Sequence, residues 1–137
     1  NNLEIRRESE RRGFNIVNAA GDLSRIEFYA DCDLHIGYRV HAHLCFLSRR
    51  KPSFLLHEDG RGRGVSQALN LLGVDAFSRE GLSALFGGIR PSSEAAATLE
   101  DYIKQELENG FARYRGLHHV IDAHFEIMKR FIESLPL

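Results

Sequence analysis

The stretch Asp31-Cys32-Asp33-Leu34-His35-Ile36-Gly37-Tyr38-Arg39-Val40-His41-Ala42-His43 decides how the chain is read. Residues 34–38 form a short apolar run that reads as a buried strand. A sharp turn follows, and from Val40 the apolar residues Val40, Leu44 and Leu47 recur at helical spacing. The pattern predicts a helix over residues 40–50, stopped by Pro52, which cannot continue it. Ser53-Phe54-Leu55-Leu56-His57 is then a compact apolar run between turn signals, as a strand buried on both faces of a parallel sheet requires. A polar glycine-rich loop, Glu58-Asp59-Gly60-Arg61-Gly62-Arg63-Gly64, follows it. Val65, Ala68, Leu69 and Leu72 predict a helix starting at about Val65, with Gly73 at its C′ position, and residues 74–77 a further short strand.

The same alternation extends in both directions. Upstream, residues 3–12 are dense in Arg and Glu three and four apart, which suits an exposed helix; Gly13 ends it. Residues 14–20 read as a short strand, and Asp22 as the N-cap of a helix over residues 23–30. Downstream, Ser78 caps an expected helix over residues 79–86 that stops at Gly87-Gly88. Residues 93–109 predict a helix closed by Gly110. Phe111, Tyr114, Ile121, Phe125, Met128, Ile132 and Leu135 predict a long amphipathic helix, with a break possible at Gly116. Strand and helix alternating through two thirds of the chain imply an α/β fold, a Rossmann-like parallel sheet with helices on both faces. The expected organisation is an α/β core over residues 1–92 and C-terminal helices over residues 93–137. Those helices pack on the core, on a further domain or on a second subunit, which admits a homodimer.

Composition bounds the function. The chain has 137 residues, 43% apolar and 27% charged, an ordinary globular mix. With 18 basic and 19 acidic residues the net charge is -1, which argues against a general nucleic-acid grip. No apolar run approaches the ~18 residues that cross a bilayer. Two cysteines, Cys32 and Cys45, both within apolar segments, suggest reduced thiols and a cytoplasmic setting. The first residue is not Met and the chain opens within a charged segment, from which a piece of a longer protein is expected.

In a parallel sheet, ligands bind outside the carboxyl ends of the strands. Two segments lie there: Arg39 to His43, and the Glu58 to Gly64 loop. An arginine at a helix start can hold a carboxylate or phosphate bidentately beside unpaired backbone N–H groups. A histidine two residues on can donate to that anion or transfer a proton near neutral pH. The competing reading is structural: Arg39 pairs with Asp31, Asp33 or Asp59, and His41 caps the helix. The motif His41-Ala42-His43 is too short to imply a metal, and no second cluster supports one. His43 is expected to pack against the sheet, His57 to be a core or wall residue, and His118, His119 and His124 to be surface or interface residues. The glycine-rich loop lacks the residues of a P-loop or a dinucleotide fingerprint, leaving flexible N–H groups and two arginines, Arg61 and Arg63.

Asp33, the apolar residues before Ile36-Gly37-Tyr38-Arg39-Val40-His41, the apolar helix, Pro52, and Phe54-Leu55-Leu56-His57-Glu58-Asp59 occur in an order that resembles the C-terminal half of the polysaccharide pyruvyl transferase family. The resemblance covers about a third of the chain. It departs from the family at Ala42, where Gly is usual, and in the glycines of residues 60–64. It implies one half of a glycosyltransferase-B-type protein, whose other, N-terminal half completes the cleft. It also implies transfer of a pyruvyl group from phosphoenolpyruvate to sugar hydroxyls in exopolysaccharide synthesis, without a cofactor. Arg39 would grip the donor's phosphate or carboxylate, and His41 would bind the donor or protonate its methylene carbon. Asp59, Arg61 and Arg63 would complete the substrate site. A nucleotide-sugar glycosyltransferase of similar architecture and a non-catalytic assembly domain are the alternatives, and by itself a half-cleft would turn over little substrate.

Overall fold

The computed structural model describes residues 2–19, 21–78 and 90–136. The chain divides into two compact units, Asn1–Cys32 and Asp33–Leu137, so the C-terminal helices belong to the same unit as the sheet.

The first unit holds helix α1 (Asn2–Arg11) and a 3-10 helix (Leu23–Ala30). Exposed pairs such as Arg6–Glu10 and Arg12–Glu8 lie one turn apart on α1, as the charge spacing predicts. Asp22 caps the second helix by accepting from the Ser24 N–H at 3.0 Å. Residues 14–19 do not form the expected strand, and Phe14, Ile16 and Val17 stay exposed. A short apolar run makes a strand only when a neighbouring strand takes its backbone groups, and among the described residues none does so here.

The second unit is a β-α-β-α-β run: β1 (His35–Gly37), α2 (Val40–Ser48), β2 (Ser53–His57), α3 (Gly60–Ala68) and β3 (Gly73–Asp75). The three strands are parallel, in the order β1-β2-β3, with His35 opposite Ser53 and His57 opposite Asp75. A two-stranded antiparallel ribbon follows, β4 (Phe77–Ser78) with β5 (Arg90–Pro91). Two helices close the chain, α4 (Ala95–Glu108) and α5 (Ala112–Glu133). The expected helix over residues 79–86, and Gly87-Gly88 after it, lie outside the described residues. Helix α5 runs without a break through Gly116.

Side chains alternate across a strand, and β2 shows which helices cover which face. Ser53 and His57 point to one face, where His43 of α2 and Ser66 of α3 hydrogen-bond to them. Phe54 points to the other, where the Tyr114 ring of α5 packs edge-on at 5.8 Å. Helices therefore lie on both faces. The core gathers Leu47, Phe54, Leu71, Tyr114 and Leu117. Burial holds the Tyr114 phenol well above its usual pKa, reinforced by the charge of Glu106, so it remains a donor to the Ser53 carbonyl at 2.7 Å.

The glycine-rich segment is helix, not loop. Asp59 is the N-cap of α3 and accepts from the Arg61 N–H at 2.9 Å, which starts the helix at Gly60 rather than near Val65. The left-handed residue after α3 is Asn70, with φ 51°, and Gly73 begins β3 instead of ending the helix. Gly73 is required there for space: a Cβ would lie 2.1 Å from His57 Nε2.

Candidate functional site

Helices α2 and α3 both begin at the carboxyl edge of the sheet, each directly after a strand. Between their first turns lies a cavity of about 280 Å³, lined by Tyr38, Arg39, His41, Glu58, Asp59 and Arg61. The structure thus brings four of the five sequence-predicted site residues together. The fifth, Arg63, points to the far side of α3 and forms a two-point pair with Asp75, Nε to Oδ1 at 2.7 Å and Nη2 to Oδ2 at 2.9 Å.

The two helix starts differ in how their N–H groups are met. On α3, Asp59 serves as cap, and the Arg61 guanidinium folds back on it at 2.9 and 2.7 Å. The Arg61 hydrogen bond holds the Asp59 carboxyl below its ordinary range, and Asp59 in turn raises the arginine. On α2, the N-cap residue is Arg39, whose side chain makes no capping bond. Its first N–H groups therefore have no side-chain acceptor from the cap. Among the described residues Arg39 makes no ion pair, and Asp59, one of its possible partners, is taken by Arg61. His41, in the first turn, is exposed. An uncapped helix start, an uncommitted guanidinium and an exposed imidazole together suit an anion.

Two neighbouring histidines share one serine hydroxyl. His43 is fully buried on α2, with Nδ1 2.7 Å from Ser53 Oγ, and His35 Nδ1 reaches the same hydroxyl at 2.8 Å. Burial pushes the His43 pKa down to about 4, helped by the neighbouring His35 and His57. Because His43 turns inward while His41 faces solvent, the two do not converge. Among the described residues no group of three or more His, Cys, Asp or Glu is placed to hold a metal. Cys32 and Cys45 are both half-buried thiols that form no disulfide.

Sequence reasoning missed one constellation. His57 Nδ1 lies 3.2 Å from Asp75 Oδ1, and His57 Nε2 lies 2.8 Å from Ser66 Oγ. With Arg63 on Asp75, this makes a chain of four polar groups along the second edge of α3. The parallel register that sets His57 beside Asp75 is its only advance signal. Arg63 is the main cause that holds the Asp75 carboxyl below its usual range.

No family model matches the chain, and neither the curated proteins nor the solved structures give a match. Among the described residues no helix is long and apolar enough to cross a membrane.

Proposed function

We propose that this chain is the donor-binding part of a polysaccharide pyruvyl transferase, acting on phosphoenolpyruvate and a saccharide acceptor. The observation that carries the reading is the uncapped start of α2, where Arg39 and His41 face one cavity with no internal partner. Phosphoenolpyruvate carries a phosphate and a carboxylate, and a guanidinium grips either one bidentately. A sugar hydroxyl adds to the enol carbon as the methylene carbon takes a proton, and departure of the phosphate with addition of a second sugar hydroxyl then completes the ketal; His41 is the imidazole in the cavity that can deliver that proton. In this reading Asp59 and Arg61 shape the wall and keep the start of α3 closed to the anion, so that it binds at α2. The residues that resemble the family, Ile36 to His41, are those that build this corner.

A titration of phosphoenolpyruvate against UDP and GDP, using the full chain, tests the proposal. Phosphoenolpyruvate is expected to bind and the nucleotides not. Arg39→Ala should weaken donor binding roughly ten- to a hundredfold, the order of a lost charge-assisted pair. Unchanged donor affinity in that variant overturns the proposal, and preferential nucleotide binding points to a nucleotide-sugar glycosyltransferase instead.

A further inference from the structure

Helix α3 separates two cavities, one at the carboxyl ends of β1 and β2 and one alongside the edge strand β3. Arg61 and Gly62 face the one described above. Arg63 and Ser66 face a second, of about 510 Å³, floored by β3 and bounded across from α3 by Glu94, Thr98 and Tyr102, from the N-cap to the middle of α4. Its volume is that of an ordinary small-molecule site.

The chemistry of this second cavity narrows what it takes. Two carboxylates, Asp75 and Glu94, face one guanidinium, and Arg63 is already committed to Asp75 at two points. An anionic ligand therefore finds no available cation. A metal cation finds no third carboxylate, because no set of three acidic, His or Cys ligands occurs among the described residues. A purely apolar ligand would cut hydroxyl and carboxylate groups off from water at a cost of about 1–3 kcal/mol each. What fits is a neutral molecule rich in hydroxyls. Asp75 is built for it: its oxygens accept from His57 Nδ1, Arg63 Nε and Arg63 Nη2. A carboxylate has about four lone-pair sites, so one remains for a ligand O–H. The three donors fix the carboxylate in place beforehand, which lowers the entropy lost on binding.

We propose that the cavity between α3, β3 and α4 is the subsite for a pyranose ring, with Asp75 as the hydroxyl acceptor and Glu94 and Thr98 lining its far wall. The identity of that sugar as the acceptor rests on the function proposed above; the site itself does not.

Methyl α-glucoside, α-galactoside and α-mannoside titrated into the full chain, with binding followed by saturation-transfer NMR, test the subsite. At least one is expected to bind. Asp75→Asn should weaken it about tenfold, the order of a hydrogen bond to a charged group, while phosphoenolpyruvate affinity changes less than twofold. Thr98→Val, which spares the His57–Asp75–Arg63 chain, should weaken the same glycoside several-fold and keeps the test sound if Asp75→Asn unfolds. If no glycoside binds at about 50 mM, roughly fiftyfold above a Kd of 1 mM, or if binding survives both substitutions unchanged, the subsite is overturned. Glycoside binding that responds to both variants, without any phosphoenolpyruvate binding, supports the subsite and overturns only the donor assignment.

Discussion

The imidazole of His57 makes two glycines of the chain necessary. It lies against Gly62 and Gly73, where an added Cβ would sit 3.1 and 2.1 Å from its ring atoms, and is tied to Ser66 and Asp75. The ring cannot yield without breaking those bonds. Gly73→Ala is therefore expected to cost about 1–3 kcal/mol, the range for forced overpacking. Gly64 is exposed in α3 with nothing within 4 Å of its missing Cβ, so Gly64→Ala should stabilise by roughly 0.5–1 kcal/mol through helix propensity. Urea midpoints of the two variants check the pair; shifts of the same sign would contradict it. A pH effect belongs to His43. Its folded pKa of about 4 lies below the ordinary value of about 6.5, so the unfolded chain takes the proton first. The stability this histidine contributes is complete above about pH 6.5 and is lost as pH falls toward 4, by on the order of 3 kcal/mol. His35 is lowered by burial too and adds in the same direction. Unfolding midpoints that stay flat from pH 7 to 4.5 would rule this out. At this scale Arg39 and His41 were legible as a pair at a helix start, because two residues of spacing suffice. The His57, Ser66 and Asp75 chain was not, because it joins positions 9 and 18 apart in sequence and exists only once strand register is set.

Among the elements, α5 is the most uneven. Tyr114 and Leu117 are buried, whereas every described residue from Asp122 onward is exposed. Phe131, at 63% exposure, should tolerate Ala within about 0.5 kcal/mol. Phe54, at 1%, should cost about 3–5 kcal/mol when cut to Ala. Tyr114→Phe, which leaves the Ser53 carbonyl without its donor, should cost about 1–2 kcal/mol. Thermal melts of the three variants rank them, and a Phe131→Ala loss as large as that of Phe54→Ala would show that the distal half of α5 is packed. The apolar spacing made α5 legible as a helix, but spacing does not say where a helix leaves the core. Strand β2 was readable because the apolar run Phe54-Leu55-Leu56, set between Pro52 and Glu58, fits a short buried strand. Residues 14–19 misled because a short run rich in apolar residues records a composition, not a partner. Helix α3 was placed too late because glycine carries a helix penalty; the Asp59 cap and tertiary contacts outweigh it.

At the scale of the whole molecule, the sheet grows in one direction, β1 to β2 to β3, and its helices fill both faces. The unit Asp33–Leu137 has its own core in Leu47, Phe54, Leu71, Tyr114 and Leu117, which predicts that residues 33–137 unfold as one cooperative transition without the first 32. Non-coincident far-ultraviolet and fluorescence transitions of that truncated chain would refute this. The α/β class was legible because alternation of strand and helix admits few topologies. The division at Cys32 was not, since no glycine or proline run marks it.

One serine hydroxyl, that of Ser53, stands between two imidazoles. It has a single proton to give, so it donates to one Nδ1 and accepts from the other. His43 Nε2 is buried with no partner, and an orphaned N–H there costs more than an orphaned lone pair. His43 therefore carries its proton on Nδ1, and Ser53 gives its own to His35, whose proton sits on Nε2. The two rings are locked into opposite tautomers, a proton order that long-range ¹⁵N correlation spectra read directly from the nitrogen shifts. Replacing Ser53 by Ala should release the correlation and let each ring choose for itself.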